Sequence, residues 1–195
     1  MHLPELLGSS SLLLLTATNA PIKPWISRKM VHIGIGTLLL NADITDPYVV
    51  NTIYSSCFLG TAYITNQGLK QISDGRKNDG FIKDIGVFGY IVACFTCLLL
   101  TVPYDEIAPL FYADPAGAIV GRTTNTTKIW ENKTIAGTNA VFCTSLLTTH
   151  GEIPEKIFVA TIITMIELFG GKIDNSLIAA FLISKYLLLQ TYSGL

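Results

Sequence analysis

The chain has 195 residues, half of them hydrophobic and only 14% charged, with a formal net charge of −1. A soluble domain carries about 25% charge. The deficit argues against an ordinary water-exposed surface and for a chain dissolved in lipid, where each buried charge costs about 2.5–3.5 kcal/mol.

A membrane-crossing helix needs about 20 largely apolar residues, with a range of about 17–25. In chain order the apolar runs are 3–19, 25–40, 48–65, 85–102, 107–121, 134–149, 156–169 and 176–192. Those at 48–65, 85–102 and 176–192 are the clearest, and several others are short or interrupted by Gly and Pro. The pattern predicts an all-α, polytopic membrane helix bundle with about seven to eight transmembrane helices, some short or broken. It forms one integral membrane domain over 1–195, with no internal repeat and no soluble domain. Residues 3–19 lack a basic leader and a clear small-residue cleavage site, so they are expected to be a first anchor rather than a signal peptide. Cys57, Cys94, Cys97 and Cys143 all lie inside apolar runs. The C-x-x-C of Cys94 and Cys97 reads as two small apolar residues of a membrane helix.

The connections carry the orientation. Loops 20–29, 66–84, 122–133 and 170–175 hold Lys23, Arg28, Lys29, Lys70, Arg76, Lys77, Lys83, Arg122, Lys128, Lys133 and Lys172. Loops 41–47, 103–106 and 150–155 hold Asp43, Asp46, Asp105, Glu106, Glu152 and Glu155, and no Lys or Arg. Under the positive-inside rule the basic loops are cytosolic and both termini lie outside. Two N-glycosylation patterns, at Asn125 and Asn132, fall in a basic loop and are expected to be unused.

Polar residues cluster at the basic ends of the spans, and ionisable groups at membrane depth suggest function. Arg28, His32 and Gly36 are four apart on one helical face, with Lys29 beside them. Two cations and an imidazole above a glycine suit an anion. Asp114-Pro115 reads as a helix cap and first turn. It is followed by Gly117, Gly121 and Arg122 on roughly the same face. That face suits a metal-bound phosphate, and G-x-x-x-G also packs helices. Lys133-Thr134 and Gly137 open a helix where backbone N–H groups can hold phosphate. Glu167, Asp174 and Asn175 supply oxygen ligands of the kind Mg²⁺ takes. The run Asp74–Gly80, with Arg76, Lys77 and Asp79, reads as a solvated loop. Together these are the ingredients of phosphoryl transfer: cations for phosphate oxygens and carboxylates for a metal. The chain has no P-loop, zinc-ligand spacing, G-x-S-x-G or soluble-kinase signature.

The order R-K-x-x-H-x-x-x-G from Arg28, a basic G-R-K-x-D-G loop, A-D-x-x-G-x-x-x-G-R, K-T-x-x-G-T and a late E…D-N resembles the CTP-dependent lipid-alcohol kinases. These include phytol kinase, dolichol kinase and the CTP-dependent diacylglycerol kinase, and are distantly related to the CDP-diacylglycerol synthases. The resemblance runs from Arg28 to Asn175. It implies transfer of the γ-phosphate of a nucleotide, typically CTP, to the hydroxyl of a phytol-, polyprenol- or diacylglycerol-class lipid at the cytosolic face. It further implies Asp114, Glu167, Asp174 and Asn175 around Mg²⁺. Arg28, Lys29, Arg76, Lys77, Gly117, Gly121, Arg122, Lys133, Thr134 and Gly137 would surround the nucleotide phosphates. Asp114 would be catalytic, with His32 or Asp79 handling the lipid hydroxyl. The sequence departs from the family pattern after Arg122, where Thr123-Thr124-Asn125 follows in place of a basic or aromatic residue and a glycine. Two rival readings use similar ingredients: a cytidylyltransferase making a CDP-lipid, and a transporter of a phosphorylated anion. The expected partners are a lipid alcohol, a nucleoside triphosphate and membrane lipid, with no nucleic acid. A homo-oligomer is compatible with the composition.

Overall fold

The structure is a computed structural model that describes residues 1–19, 23–66 and 85–193. Arg76, Lys77 and Asp79, together with Lys70 and Lys83, lie outside the described residues.

Each apolar run becomes a helix. The described residues form α1 (Leu3–Asn19), α2 (Pro24–Leu40), α3 (Pro47–Asn66), α4 (Ile85–Leu99), α5 (Ala108–Thr123), α6 (Ile135–Thr148), α7 (Ile153–Phe169) and α8 (Asp174–Ser193). A short antiparallel hairpin of β1 (Lys128–Trp130) and β2 (Lys133–Thr134) joins α5 to α6. Proline marks the starts of α2, α5 and α7, where its missing N–H is not needed. The eight helices match the eight expected runs in place. Membrane-crossing length is a stricter test. Among the described residues one helical segment, Gly171–Tyr192, is long and apolar enough to cross a membrane, while Ile85–Leu99 and Ile135–Thr148 are shorter apolar helices.

One expectation is corrected. Asp114 does not cap a helix, because α5 begins at Ala108 and runs continuously through Pro115. Pro115 has no N–H for the carbonyl of Phe111, a loss that normally breaks a solvated helix. Both residues are fully buried, so packing around this part of α5 holds the helix together across the missing hydrogen bond. Asp114 is therefore a mid-helix carboxylate whose partners must come from other helices.

Those helices come very close. The backbones of α5 and α6 meet through glycine: a Cβ added at Gly137 would lie 2.9 Å from Gly117 O and 3.1 Å from Gly121 Cα. Gly117 packs under Val141 of α6. On the other flank, Gly36 of α2 packs against Phe111 of α5, and Gly34 receives Leu13 of α1. The core around α5 contains Ile107, Leu110, Phe111, Val141, Ile163, Ile178 and Leu182, all essentially buried. Cys94 and Cys97 are free thiols buried on α4, in keeping with packing residues.

The two ends of the bundle differ in charge. At one end Asp105 lies 3.9 Å from His150, while Lys185 of α8 lies 2.9 Å from Glu155 and 3.7 Å from Glu106. These are the loops expected to be acidic, and Lys185 reaches them from within α8. Arg28, Lys29, Arg122, Lys133 and Lys172 gather at the other end.

Gly137→Ala is expected to destabilise the detergent-solubilised protein by about 1–3 kcal/mol, the usual cost of overpacking. Gly8→Ala, where a Cβ meets nothing within 4 Å, should be neutral or slightly stabilising, since Gly weakens a helix interior by about 1 kcal/mol. Thermal unfolding of the two variants side by side checks this.

Candidate functional site: a charged cavity at the basic end

The start of α2, the second half of α5, the hairpin, the start of α6, the end of α7 and the turn into α8 enclose a cavity of about 500 Å³. This lies within the about 300–1,000 Å³ usual for ligand sites. Its walls bring together Arg28, Lys29, Asp114, Gly117, Arg122, Lys133, Thr134, Gly137, Glu167 and Asp174. These residues were singled out from segments far apart in the sequence.

Each enters by a local cause. Trp25, Arg28 and Lys29 sit at i, i+3 and i+4 on the first turns of α2, so they share a face. Lys29 Nζ lies 2.5 Å from Asp114 Oδ2. His32, one turn deeper, approaches the same oxygen at 3.5 Å through Nδ1. Its Nε2 lies 3.0 Å from the Leu110 carbonyl. A carbonyl only accepts, so Nε2 carries the hydrogen. Tyr90 locks the residue in place: its ring meets the imidazole edge-on with centroids 4.3 Å apart, and its hydroxyl donates to the His32 carbonyl at 3.1 Å. His32 is 8% exposed and is not part of the cavity wall. With the hydrogen on Nε2, Nδ1 has none to donate, so His32 stands behind Asp114 as a packing neighbour, away from the lipid hydroxyl it was expected to handle.

The second constellation is built by the hairpin. Thr134 caps α6, its hydroxyl accepting from the Gly137 N–H at 3.2 Å. The cap holds Lys133 just before it, two residues ahead of the helix, where its ammonium makes a close ion pair with Glu167 of α7. The same ammonium lies 4.0 Å from Asp174 at the start of α8. Burial works to strip the Lys133 ammonium of its proton. The Glu167 carboxylate, its hydrogen bond and Asp174 outweigh that and hold the lysine above its ordinary range. Glu167 is 6% exposed, and its Oε2 has no hydrogen-bond partner. A buried carboxylate oxygen left over in a cavity wall is what a cation or a ligand hydrogen completes.

Some expected residues stand elsewhere. Asn175 is buried with its amide donating to Gly86 O of α4 at 3.3 Å, and it does not line the cavity. Gly121 supports the wall from behind, packed on Thr134 and Gly137. Trp25 was not anticipated. The Arg122 guanidinium lies 4.7 Å over its ring, a cation–π contact that ties the end of α5 to the start of α2. The i, i+3 spacing of Trp25 and Arg28 was the available signal.

The fit to Mg²⁺ is partial. Among the described residues, no three His, Cys, Asp or Glu side chains gather as a metal cage. Mg²⁺ does not need one: it takes one or two carboxylates and completes its shell with phosphate and water. Glu167, with its spare oxygen, and Asp174 fit that role. Asp114, engaged by Lys29, fits it less well.

Lys133→Met should leave Glu167 buried beside Asp174 without its cation. Removing one partner of a buried pair costs about 3–5 kcal/mol, and the half-exposed lysine places this case at the lower end. Adding Glu167→Gln should recover most of the loss. A double-mutant cycle on unfolding checks this, and an additive cycle would mean that the pair does not couple.

Compared with family models, with curated proteins and with solved structures, the chain matches none.

Proposed function

We propose that the chain is a polytopic membrane kinase that moves the γ-phosphate of a nucleotide, CTP by resemblance, to the hydroxyl of a lipid alcohol. The cavity would open at the cytosolic face. The observation that carries the reading is the convergence of the motif residues from five helices and the hairpin on one cavity. Its wall holds five bases, Arg28, Lys29, Arg122, Lys133 and Lys172, against four acids, Asp114, Glu131, Glu167 and Asp174. A triphosphate carries several negative charges, so this small basic surplus calls for a divalent cation to make up the balance. Multi-pass insertion is supported by large apolar side chains left exposed around the bundle, among them Leu12, Phe58, Leu147, Phe158 and Leu188, each more than half exposed.

In this reading the bases grip the triphosphate. Arg28 and Arg122 offer planar forks that fit phosphate oxygens bidentately, and Lys29 and Lys133 act as point charges. Glu167 and Asp174 would hold a Mg²⁺, which when bound would supply positive charge against the phosphates. Asp114 fixes the Lys29 ammonium. The lipid oxygen attacks the γ-phosphorus, the bond to the β–γ bridging oxygen breaks, and the hydroxyl proton ends in solution. Phosphoryl transfer of this kind relies on positioning and charge rather than on covalent catalysis.

Purified protein incubated with γ-labelled CTP or ATP and a panel of phytol, polyprenol and diacylglycerol is expected to yield a labelled lipid monophosphate and a nucleoside diphosphate. A CDP-lipid with pyrophosphate would assign the chain to the cytidylyltransferases instead. Solute flux without nucleotide turnover would remove both readings. Asp114→Asn is expected to lower kcat/KM by about 10²-fold, the cost of misplacing a group by about 1 Å, while the variant still folds. A near-normal rate would confine Asp114 to packing.

A further inference from the structure

The cavity rim carries an exposed aromatic pair that the chemistry above does not use. Trp130, at the tip of the hairpin, is 50% exposed, and Phe169, the last residue of α7, is 54% exposed. Their rings meet edge-on, with centroids 5.4 Å apart and planes at 73°. Both adjoin the wall in sequence: Glu131 and Asn132 follow Trp130, and Leu168 precedes Phe169. Ile129 and Ile173, also about half exposed, flank the pair.

Depth comes from α8. Among the described residues, the one segment that meets the length and hydropathy of a membrane crossing begins at Gly171, two residues after Phe169. Phe169, and Trp130 against it, therefore lie level with the polar end of that crossing. Tryptophan is enriched at this level because its ring is apolar at one edge and donates a hydrogen bond at the other. Lys128 and Lys172 stand on either side in sequence, where lysine stems lie along lipid and ammonium groups reach headgroups.

We propose that the Trp130–Phe169 pair is the bilayer-facing rim of the cavity. It docks in the headgroup–acyl boundary and marks the side from which a lipid substrate slides its polar end past Lys172 into the site. This rests on the membrane-enzyme reading above and adds to it the route of the acceptor. Nucleotide would enter by another side, so the two substrates separate in their dependence on this rim.

Two measurements test it, and the first needs no activity. The chain has two tryptophans, Trp25 and Trp130, so subtracting the emission of Trp130→Phe isolates the Trp130 signal. In phosphatidylcholine nanodiscs that signal should be quenched by lipids brominated high on the acyl chain and little by aqueous acrylamide. Quenching by acrylamide alone overturns the proposal, whatever the enzyme does. In the kinase assay, Trp130→Ala with Phe169→Ala should raise KM for the lipid alcohol about tenfold, equivalent to about 1.4 kcal/mol, with KM for the nucleotide unchanged. Equal effects on both substrates, or none on either, also overturn it. Absence of any nucleotide turnover would sink the kinase reading and leave the quenching result to decide the surface.

Discussion

The rest of the site depends on the backbone contact between α5 and α6. Gly137 sits where any Cβ would collide with Gly117 O and Gly121 Cα. Bare glycine faces let the two helices gain stability through close van der Waals packing. The approach also sets the chemistry. With α6 against α5, the cap at Thr134 brings Lys133 to the same cavity as Asp114, and α7 follows α6 to present Glu167. A side chain at Gly137 would push Lys133 and Glu167 away from the α2–α5 pair and open the cavity along its seam.

Charge follows a consistent rule in this bundle. Asp114 has Lys29, Glu167 and Asp174 share Lys133, and Lys185 at the far end holds Glu106 and Glu155. Each carboxylate named here has its base on a different element, which is how a weakly hydrated interior keeps charge without neutralising it. Such pairs add little net stability compared with apolar packing. They fix which helices are neighbours, and at the basic end they leave a polarised surface facing a cavity. Glu167 departs from the rule with an unpartnered oxygen, and it does so in the cavity wall, where a ligand can reach it.

His32 stands one step back from the cavity. Its ring is clamped by Tyr90 and the Leu110 carbonyl, so it cannot swing into the cavity. It packs behind Asp114, whose carboxylate holds the Lys29 ammonium. Trp25 holds Arg122 by stacking. The basic groups of the wall are thus held by neighbours before any ligand arrives, the preorganisation that positioning chemistry requires.

The amino-acid sequence by itself determined the eight helices and the end at which charge collects, because apolar runs and loop charges are properties of neighbouring residues along the chain. It also marked most of the cavity wall, since Arg28, Asp114, Lys133 and Glu167 each stand out as ions in apolar surroundings. Pairing was beyond it. That Asp114 answers to Lys29, 85 residues away, that Glu167 answers to Lys133, and that Asn175 turns to α4 depend on which helices touch and at what rotation. Helix periodicity gives a face but not the neighbour that covers it. The same limit explains Asp114-Pro115, which has the local features of a helix start yet lies inside α5. The packing of Phe111 and Pro115 in the core holds the helix through that point against the local preference.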